Sequence, residues 1–295
     1  MKNGIAPVAS ALENYERIIP TAWLTAYPKT FSDIPLSEDI FHELEQIRKH
    51  HGKPEVSQDL KVPKLAPEIE ARYKLVTKLL YLTKIPQILE IAAGLCPRGM
   101  LMAKDPSIEY VEMDLPEMIA EKKEIIAKLA AASKVTLTHH LHLEEGSALE
   151  MNDLLRATRH FKKRPIAVVN EGLLRYLNFD EKAVVAKNVR ALLERFGGVW
   201  ITPDITLKKL LETQERITMP GLSTKIIGMT GKNFNENRFE NEEQAKAFFE
   251  GFGFTVERHS FLEIEEKLTS PKKLQLRKEE VAEMIKSSAV FVMKL

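Results

Sequence analysis

The spacing of apolar positions changes near Pro86. Before it, apolar residues recur three and four apart over 6–27, 37–51 and 67–83, with Phe41, Leu44 and Ile47 in the second stretch and Ile69, Tyr73, Val76, Leu79 and Leu80 in the third. That period gathers them on one face, so three helices are expected. Pro28, Pro35, Pro54 and Pro63 are expected between these helices, because proline lacks the amide donor a helix interior needs. After Pro86, short apolar runs at 88–91, 110–113, 137–143, 166–169 and 199–201 alternate with helical segments, as parallel strands covered on both faces do. The helix over 116–132 opens on Pro116 behind Asp114, a candidate cap. Asn178-Phe-Asp-Glu181 reads as a capping box for a helix ending at Gly197-Gly198, and Asn241 with Gln244 repeats the arrangement. Two strands, 254–260 and 289–295, close the chain. Right-handed crossovers set the first five strands in one parallel sheet, an α/β architecture whose ligands bind beyond the strands' carboxyl ends.

Composition narrows the function. With 295 residues, 44% hydrophobic, the chain can bury one large core. Lysine plus arginine (43) nearly cancels aspartate plus glutamate (42), which leaves no field for nucleic acid or an anionic membrane face. No apolar run approaches the roughly 20 residues of a membrane span, and the first 20 residues lack a signal-peptide core, so a cytoplasmic protein is expected. The single cysteine, Cys96, excludes an internal disulfide and a thiolate zinc site.

Chemistry is then sought where strands end. The first strand runs into Ile88-Leu-Glu-Ile-Ala-Ala-Gly-Leu-Cys-Pro-Arg-Gly99. Its small residues let a ligand approach the backbone before a helix N-terminus, or form a plain tight turn. Asp114 follows Gly94 by twenty residues, suited to accept ribose hydroxyls or to cap the helix opening at Pro116. No lysine follows a phosphate-loop glycine, which disfavours triphosphate hydrolysis. Glu171 directly follows the fourth strand beside Gly172, so it is expected in the cleft, partnered by a cationic ligand group or by Arg175.

Together these segments resemble a known family. Glu90-Ile-Ala-Ala-Gly94 with Arg98, Glu112-Met-Asp-Leu-Pro116 and Glu171-Gly-Leu-Leu-Arg-Tyr-Leu177 are similar to motifs of the leucine carboxyl methyltransferase family. That family includes protein phosphatase methyltransferases and bacterial O-methyltransferases related to polyketide biosynthesis. The likeness extends upstream through Thr21-Ala22, Asp39 and Pro67-Glu-Ile-Glu-Ala-Arg-Tyr73, and downstream to the closing strand. It implies a class I methyltransferase fold, a seven-stranded sheet, mostly parallel, with an antiparallel last strand. It also implies S-adenosyl-L-methionine as cofactor and S-adenosyl-L-homocysteine as product. By the same resemblance Arg72 would hold the cofactor carboxylate, the backbone near Ala92 and Gly94 would line its methionine portion, Asp114 would bind the ribose, and Glu171 would face the amino group. Glu90, Leu115, Ser147 and Ala148 complete the implied cofactor set, with Ser147 where relatives usually carry aspartate near the adenine. Further departures are Cys96-Pro97 for aspartate and threonine, and Ala92 for the first glycine of the turn, where φ below zero is expected.

Methyl transfer from a sulfonium is an in-line displacement that chiefly requires alignment and exclusion of water. A carboxylate acceptor is already ionised and needs no base, in agreement with the lack of an evident base constellation; a hydroxyl acceptor would profit from one. Arg175 and Tyr176 are the candidate positioning residues, arginine suiting an anionic acceptor and packing being the other role open to Tyr176. The chain divides into a helical cap, 1–85, and a methyltransferase domain, 86–295, with a lid insertion at about 205–240. Within that insertion, 219–232 combines glycines with apolar residues. His139, His140 and His142 cluster, but no carboxylate stands at ligand spacing, and no metal is expected. Cys96 reads as packing and the basic run 159–164 as a solvated helix end. The expected activity is O-methylation of a small acceptor, possibly anionic in the carboxylate case. A cofactor-binding protein without turnover and a methyltransferase for a protein's C-terminal carboxylate remain as alternatives. A nicotinamide-dependent oxidoreductase is least supported, since a full GxGxxG is missing and 171–177 has no role there.

Overall fold

The computed structural model describes residues 20–53, 58, 61–208, 224, 227–228 and 236–295. Among them, seven strands form one sheet: β1 Gln87–Ile91, β2 Glu109–Asp114, β3 Leu141–Glu145, β4 Ile166–Asn170, β5 Gly198–Thr202, β6 Thr255–Ser260 and β7 Ala289–Lys294. Their order is β3-β2-β1-β4-β5-β7-β6; β1 to β5 run parallel and β7 is antiparallel to both neighbours. The helices are α1 Pro20–Lys29, α2 Ser37–His50, α3 Ala66–Thr83, α4 Arg98–Met102, α5 Pro116–Ala131, α6 Met151–Ala157, α7 Phe179–Phe196, α8 Glu242–Glu250, α9 Ser270–Lys273 and α10 Lys278–Ile285.

Alternation along the strands divides the core in two. Leu89, Val111, Val168 and Trp200 face α6, α7 and α8, where Leu154, Val189 and Phe249 are buried. Ile88, Tyr110, Ala167 and Val199 face α3 and α10, against Leu75, Val76 and Met284. Residues one apart thus serve opposite faces, which is why the strands read as unbroken apolar runs. A third cluster joins α1 and α2 to α5 through Leu24, Leu44, Ile47, Met118 and Ile125. This fastens the leading helices over the carboxyl ends of β1 and β2. The capping box expected at Asn178 is formed, and Asn241 accepts from the Gln244 amide.

Two expectations need correction, and others fall outside the description. The third strand starts at Leu141, and Leu137 is 59% exposed. The cause is register: β2 begins at Glu109 and pairs Tyr110 with Leu141, so residues before His140 have no strand beside them. Pro28 lies within the last turn of α1 instead of after it, where its missing N–H forfeits only one backbone bond. Residues 6–19 of the first expected helix, Pro54 and the stretches 209–223, 225–226 and 229–235 of the expected insertion lie outside the described residues.

The closing segment is docked by one carboxylate. Glu70 on α3, fully buried, accepts from the Thr269 amide (2.8 Å) and hydroxyl (2.9 Å) and from the Ser270 amide (2.9 Å), and pairs with Lys74 (2.6 Å). Glu70→Ala strands these buried donors, and urea denaturation is expected to show a loss of about 2–4 kcal/mol in unfolding free energy.

Candidate active site

The strand order reverses between β1 and β4, and a cleft of about 1040 Å³, counted out to its mouth, opens there beyond the carboxyl ends. The turn after β1 forms its floor. Gly94 has φ +50° and Ala92 φ +54°. The expectation of negative φ at Ala92 is therefore wrong. The turn must bring two successive amides back onto β2: Ala93 N–H donates to the Met113 carbonyl (3.3 Å) and Gly94 N–H to Asp114 Oδ2 (2.7 Å). Alanine accepts the left-handed conformation a glycine takes without steric cost.

Asp114 does not cap α5. Its other oxygen accepts the Leu115 N–H (2.7 Å), and Leu115 occupies the N-cap position without a side-chain bond. Both carboxylate oxygens are thus tied to backbone while the residue lines the cleft, with Leu115 beside it and Ser147 and Ala148 following β3. Burial pushes the Asp114 carboxyl up, and the two amides oppose that rise.

Glu171 lines the opposite side, but its charge partner is not Arg175. Arg72 Nε donates to Glu171 Oε2 (3.1 Å), and Arg98 Nη2 bonds the other oxygen. Arg98, fully buried at the start of α4, also reaches Glu90 Oε1 (2.5 Å), the Thr77 hydroxyl (3.0 Å) and the Tyr73 carbonyl (3.4 Å). Glu90 takes a further bond from the Tyr110 hydroxyl (2.5 Å) and stands behind the cleft, not in its lining. Tyr176 lines the cleft; Arg175 does not, and its electrostatic partners are Asp204, Tyr176 and Glu68.

The Glu171 loop hangs on a residue that the sequence reading passed over. Asp204, just past β5, accepts the amides of Gly172 (2.8 Å), Leu173 (2.6 Å) and Leu174 (3.1 Å) and the Asn170 amide group (2.8 Å). Asn170 in turn bonds Thr202 and accepts from the Trp200 indole (2.7 Å). Lys182, on α7, closes the loop's far end by donating to the carbonyls of Leu177 and Asn237, the latter at 2.7 Å. Burial lowers the Lys182 ammonium to about 8.

The family model of leucine carboxyl methyltransferase matches residues 33–190, more than half of the chain. The chain belongs to this family. A solved structure with the same fold is a DUF574 family protein from Streptomyces avermitilis, 14% identical, TM-score 0.53, with 92% of this chain and 96% of that one covered. An O-methyltransferase family protein from Burkholderia thailandensis is 14% identical at TM-score 0.46; 79% of this chain spans 59% of that one. Magnesium protoporphyrin IX methyltransferase from Synechocystis, solved with bound S-adenosylhomocysteine, is 10% identical at TM-score 0.46, with 86% and 94% covered. A search of the curated proteins finds no match. Among the described residues, no helix is long and apolar enough to cross a membrane.

Membership makes this leucine carboxyl methyltransferase family member an S-adenosylmethionine-dependent methyltransferase, and the cleft's donors fit such a cofactor. Arg72 Nη1 is buried without a hydrogen-bond partner, an orphan donor that a carboxylate satisfies. Lys29, the last residue of α1, enters the same wall with 6% exposure, and burial lowers its ammonium pKa. Its position is not encoded locally, because the packing of α1 on α2 and α3 turns it inward. Cys96 is buried and inert as a nucleophile: burial pushes its thiol up to about 11.

Two outcomes follow from this geometry. Ala92→Gly relieves the left-handed alanine and is expected to raise unfolding free energy by about 0.5–1 kcal/mol, read from urea midpoints. For Glu171, burial raises its carboxyl pKa, but Arg98 and Arg72 overcome this and hold it below the usual value of 4.5. The unfolded chain therefore takes up this proton first as pH falls. Wild type is expected to exceed Glu171→Gln by about 2–4 kcal/mol at pH 7, with the difference shrinking as pH drops below 4.5; a constant difference over pH 3–7 would exclude that pairing.

Proposed function

We propose that this methyltransferase transfers a methyl group to an oxygen of a small-molecule acceptor, a carboxylate in the first instance. The observation carrying this reading is the lack of a dedicated base among the described residues lining the cleft: no histidine is there, and Lys29, the lysine of that lining, is assigned to the cofactor carboxylate. Glu171 is locked between two guanidinium groups, and Asp114 is committed to two backbone amides. Cys96 remains a thiol at neutral pH. A carboxylate acceptor arrives ionised and needs none of them to act as base. A hydroxyl acceptor has weaker support.

In this reading Arg72 and Lys29 receive the cofactor carboxylate, the backbone of Ala92 and Gly94 approaches the methionine portion, and Asp114, with Leu115 alongside, accepts from the ribose. Ser147 and Ala148 border the adenine. Glu171 draws the amino group, and Glu90 acts behind it by holding Arg98. When bound, the cofactor supplies an electrophilic methyl on a cationic sulfur; that carbon–sulfur bond breaks as the carbon–oxygen bond forms. The protein's task is alignment and exclusion of water. We assign acceptor choice to a helical cap, residues 1–85, from which Ala22, Thr25 and Lys29 reach the cleft wall, and to a lid at about 205–240, with Tyr176 and the nearby Arg175 as positioning residues.

Calorimetry is expected to show binding of S-adenosylmethionine and S-adenosylhomocysteine. Arg72→Met and Asp114→Ala should each weaken it about 10- to 100-fold, the range for a charge-assisted hydrogen bond, with the circular dichroism spectrum unchanged. In cell extract with methyl-labelled cofactor, base-labile label in the low-mass fraction supports a small carboxylate. Label confined to polypeptide would replace that acceptor with a protein C-terminus, and cofactor binding without any label would remove turnover.

A further inference from the structure

The segment after β4 is held by two separate sets of bonds. At its start the Glu171 side chain is gripped by Arg72 on α3 and Arg98 on α4. From Gly172 onward the grip changes. Leu174, Arg175 and Tyr176 form one turn of 3-10 helix, closed by the Tyr176 amide on the Leu173 carbonyl (3.0 Å). The leading amides of such a turn have no partner within it, and Leu173 at its start supplies no side-chain bond. Their partner comes from another strand. Asp204, two residues past β5 and 1% exposed, takes the Gly172 amide on Oδ1 and those of Leu173 and Leu174 on Oδ2. Its own backbone is aimed by Thr202, whose hydroxyl accepts the Asp204 N–H (3.1 Å). Gly172 meets this clamp in a left-handed conformation, φ +83°. The Tyr176 ring turns back over it, with Cε2 4.0 Å from the place a Cβ would take, and so lines the cleft beside Glu171.

We propose that Asp204 is a positioning residue for methyl transfer: acting through the turn it clamps, it sets the Tyr176 ring against the methyl acceptor and leaves the cofactor's place to the arginine cluster. This role rests on the proposed function, in which Tyr176 positions the acceptor. The two halves of the segment are separable because the Glu171 carboxylate has partners on α3 and α4 that do not pass through Asp204. Tyr176 is carried by a turn that begins on the amides Asp204 holds, and Lys182 fixes the far end of that turn at the Leu177 carbonyl. Only a carboxylate suits the clamp. Four donors, the three amides and the Asn170 amide group (2.8 Å), meet its two oxygens, and an asparagine would turn an NH2 group toward them. In-line displacement is sensitive to such placement, since a shift of about 1 Å costs about 100-fold in rate.

The test follows label from methyl-labelled S-adenosylmethionine, at saturating concentration, into the low-mass and polypeptide fractions of cell extract, with affinity for S-adenosylhomocysteine read separately by calorimetry. Asp204→Asn is expected to slow transfer about 10- to 100-fold while that affinity stays within about threefold of wild type. Tyr176→Ala should slow transfer to a similar extent. Combining Asp204→Asn with Tyr176→Ala should then add little to either single loss, because both disable one unit. Thr202→Val, which keeps the carboxylate and removes the hydroxyl that aims it, is the milder variant should Asp204→Asn fail to fold, and is expected to show a smaller loss of the same kind. Transfer at the wild-type rate in Asp204→Asn, affinity falling as far as transfer does, or losses that multiply in the double variant overturn the proposal. Wild type that binds cofactor and labels neither fraction removes the proposed function itself, and this role with it.

Discussion

A single buried guanidinium fixes the geometry on which the cleft depends. Arg98 is fully buried, and a charge in that position persists only if its donors are paired. The pairing draws on β1 through Glu90, on α3 through Thr77 and Tyr73, and on the loop after β4 through Glu171. The Tyr73 ring also lies 4.8 Å from the guanidinium carbon. Buried ion pairs often contribute little net stability, since desolvation offsets attraction. Their consequence here is positional: Glu171 stands where Arg98 and Arg72 hold it, at the strand-order reversal.

The loop bearing Glu171 is fixed independently from the other side. Three consecutive amides, Gly172 to Leu174, converge on Asp204, so the backbone after β4 is clamped to the end of β5. The side chain of Glu171 is thereby held from α4 and α3, and the backbone after it from beyond β5. Trp200 and Thr202 complete the hydrogen bonding of Asn170 beneath the clamp. A fully satisfied buried polar network of this kind resists rearrangement, because each broken bond strands a desolvated partner. The cleft is therefore largely preformed, which lowers the ordering cost of binding and aligning a ligand.

What could be read from sequence follows the range of each interaction. The parallel strands, the box at Asn178 and the positions of Asp114 and Glu171 are encoded within a few residues, so period and punctuation revealed them. Partners brought together by the sheet were not legible. Glu171 is 99 residues from Arg72, and Asp204 is 30 to 32 residues from the amides it holds. Glu109 reaches His142 across 33 residues through a parallel register that local spacing does not encode. Ala92 was misread for a different reason. Its own preference favours negative φ, and the two hydrogen bonds from Ala93 and Gly94 onto β2 overrule it.

The charges around Glu171 also constrain what the cleft receives. Lys29, Arg72 and Arg98 are three cations, set against the carboxylates of Glu90 and Glu171. Arg98 is spent on those two carboxylates, and Arg72 commits only Nε to Glu171. The surplus is thus presented by Lys29 and by the free Arg72 Nη1, both on the cleft wall. One surplus positive charge, presented at these two donors, favours a carboxylate over any neutral group, and a carboxylate there would also oppose the lowering that burial imposes on the Lys29 ammonium. In the proposed function a cofactor carboxylate would satisfy that surplus and leave the acceptor to be placed by shape. In the proposed reading acceptor choice therefore falls to the walls supplied by α1 and by the residues around Tyr176, while the arginine cluster sets the cofactor's place.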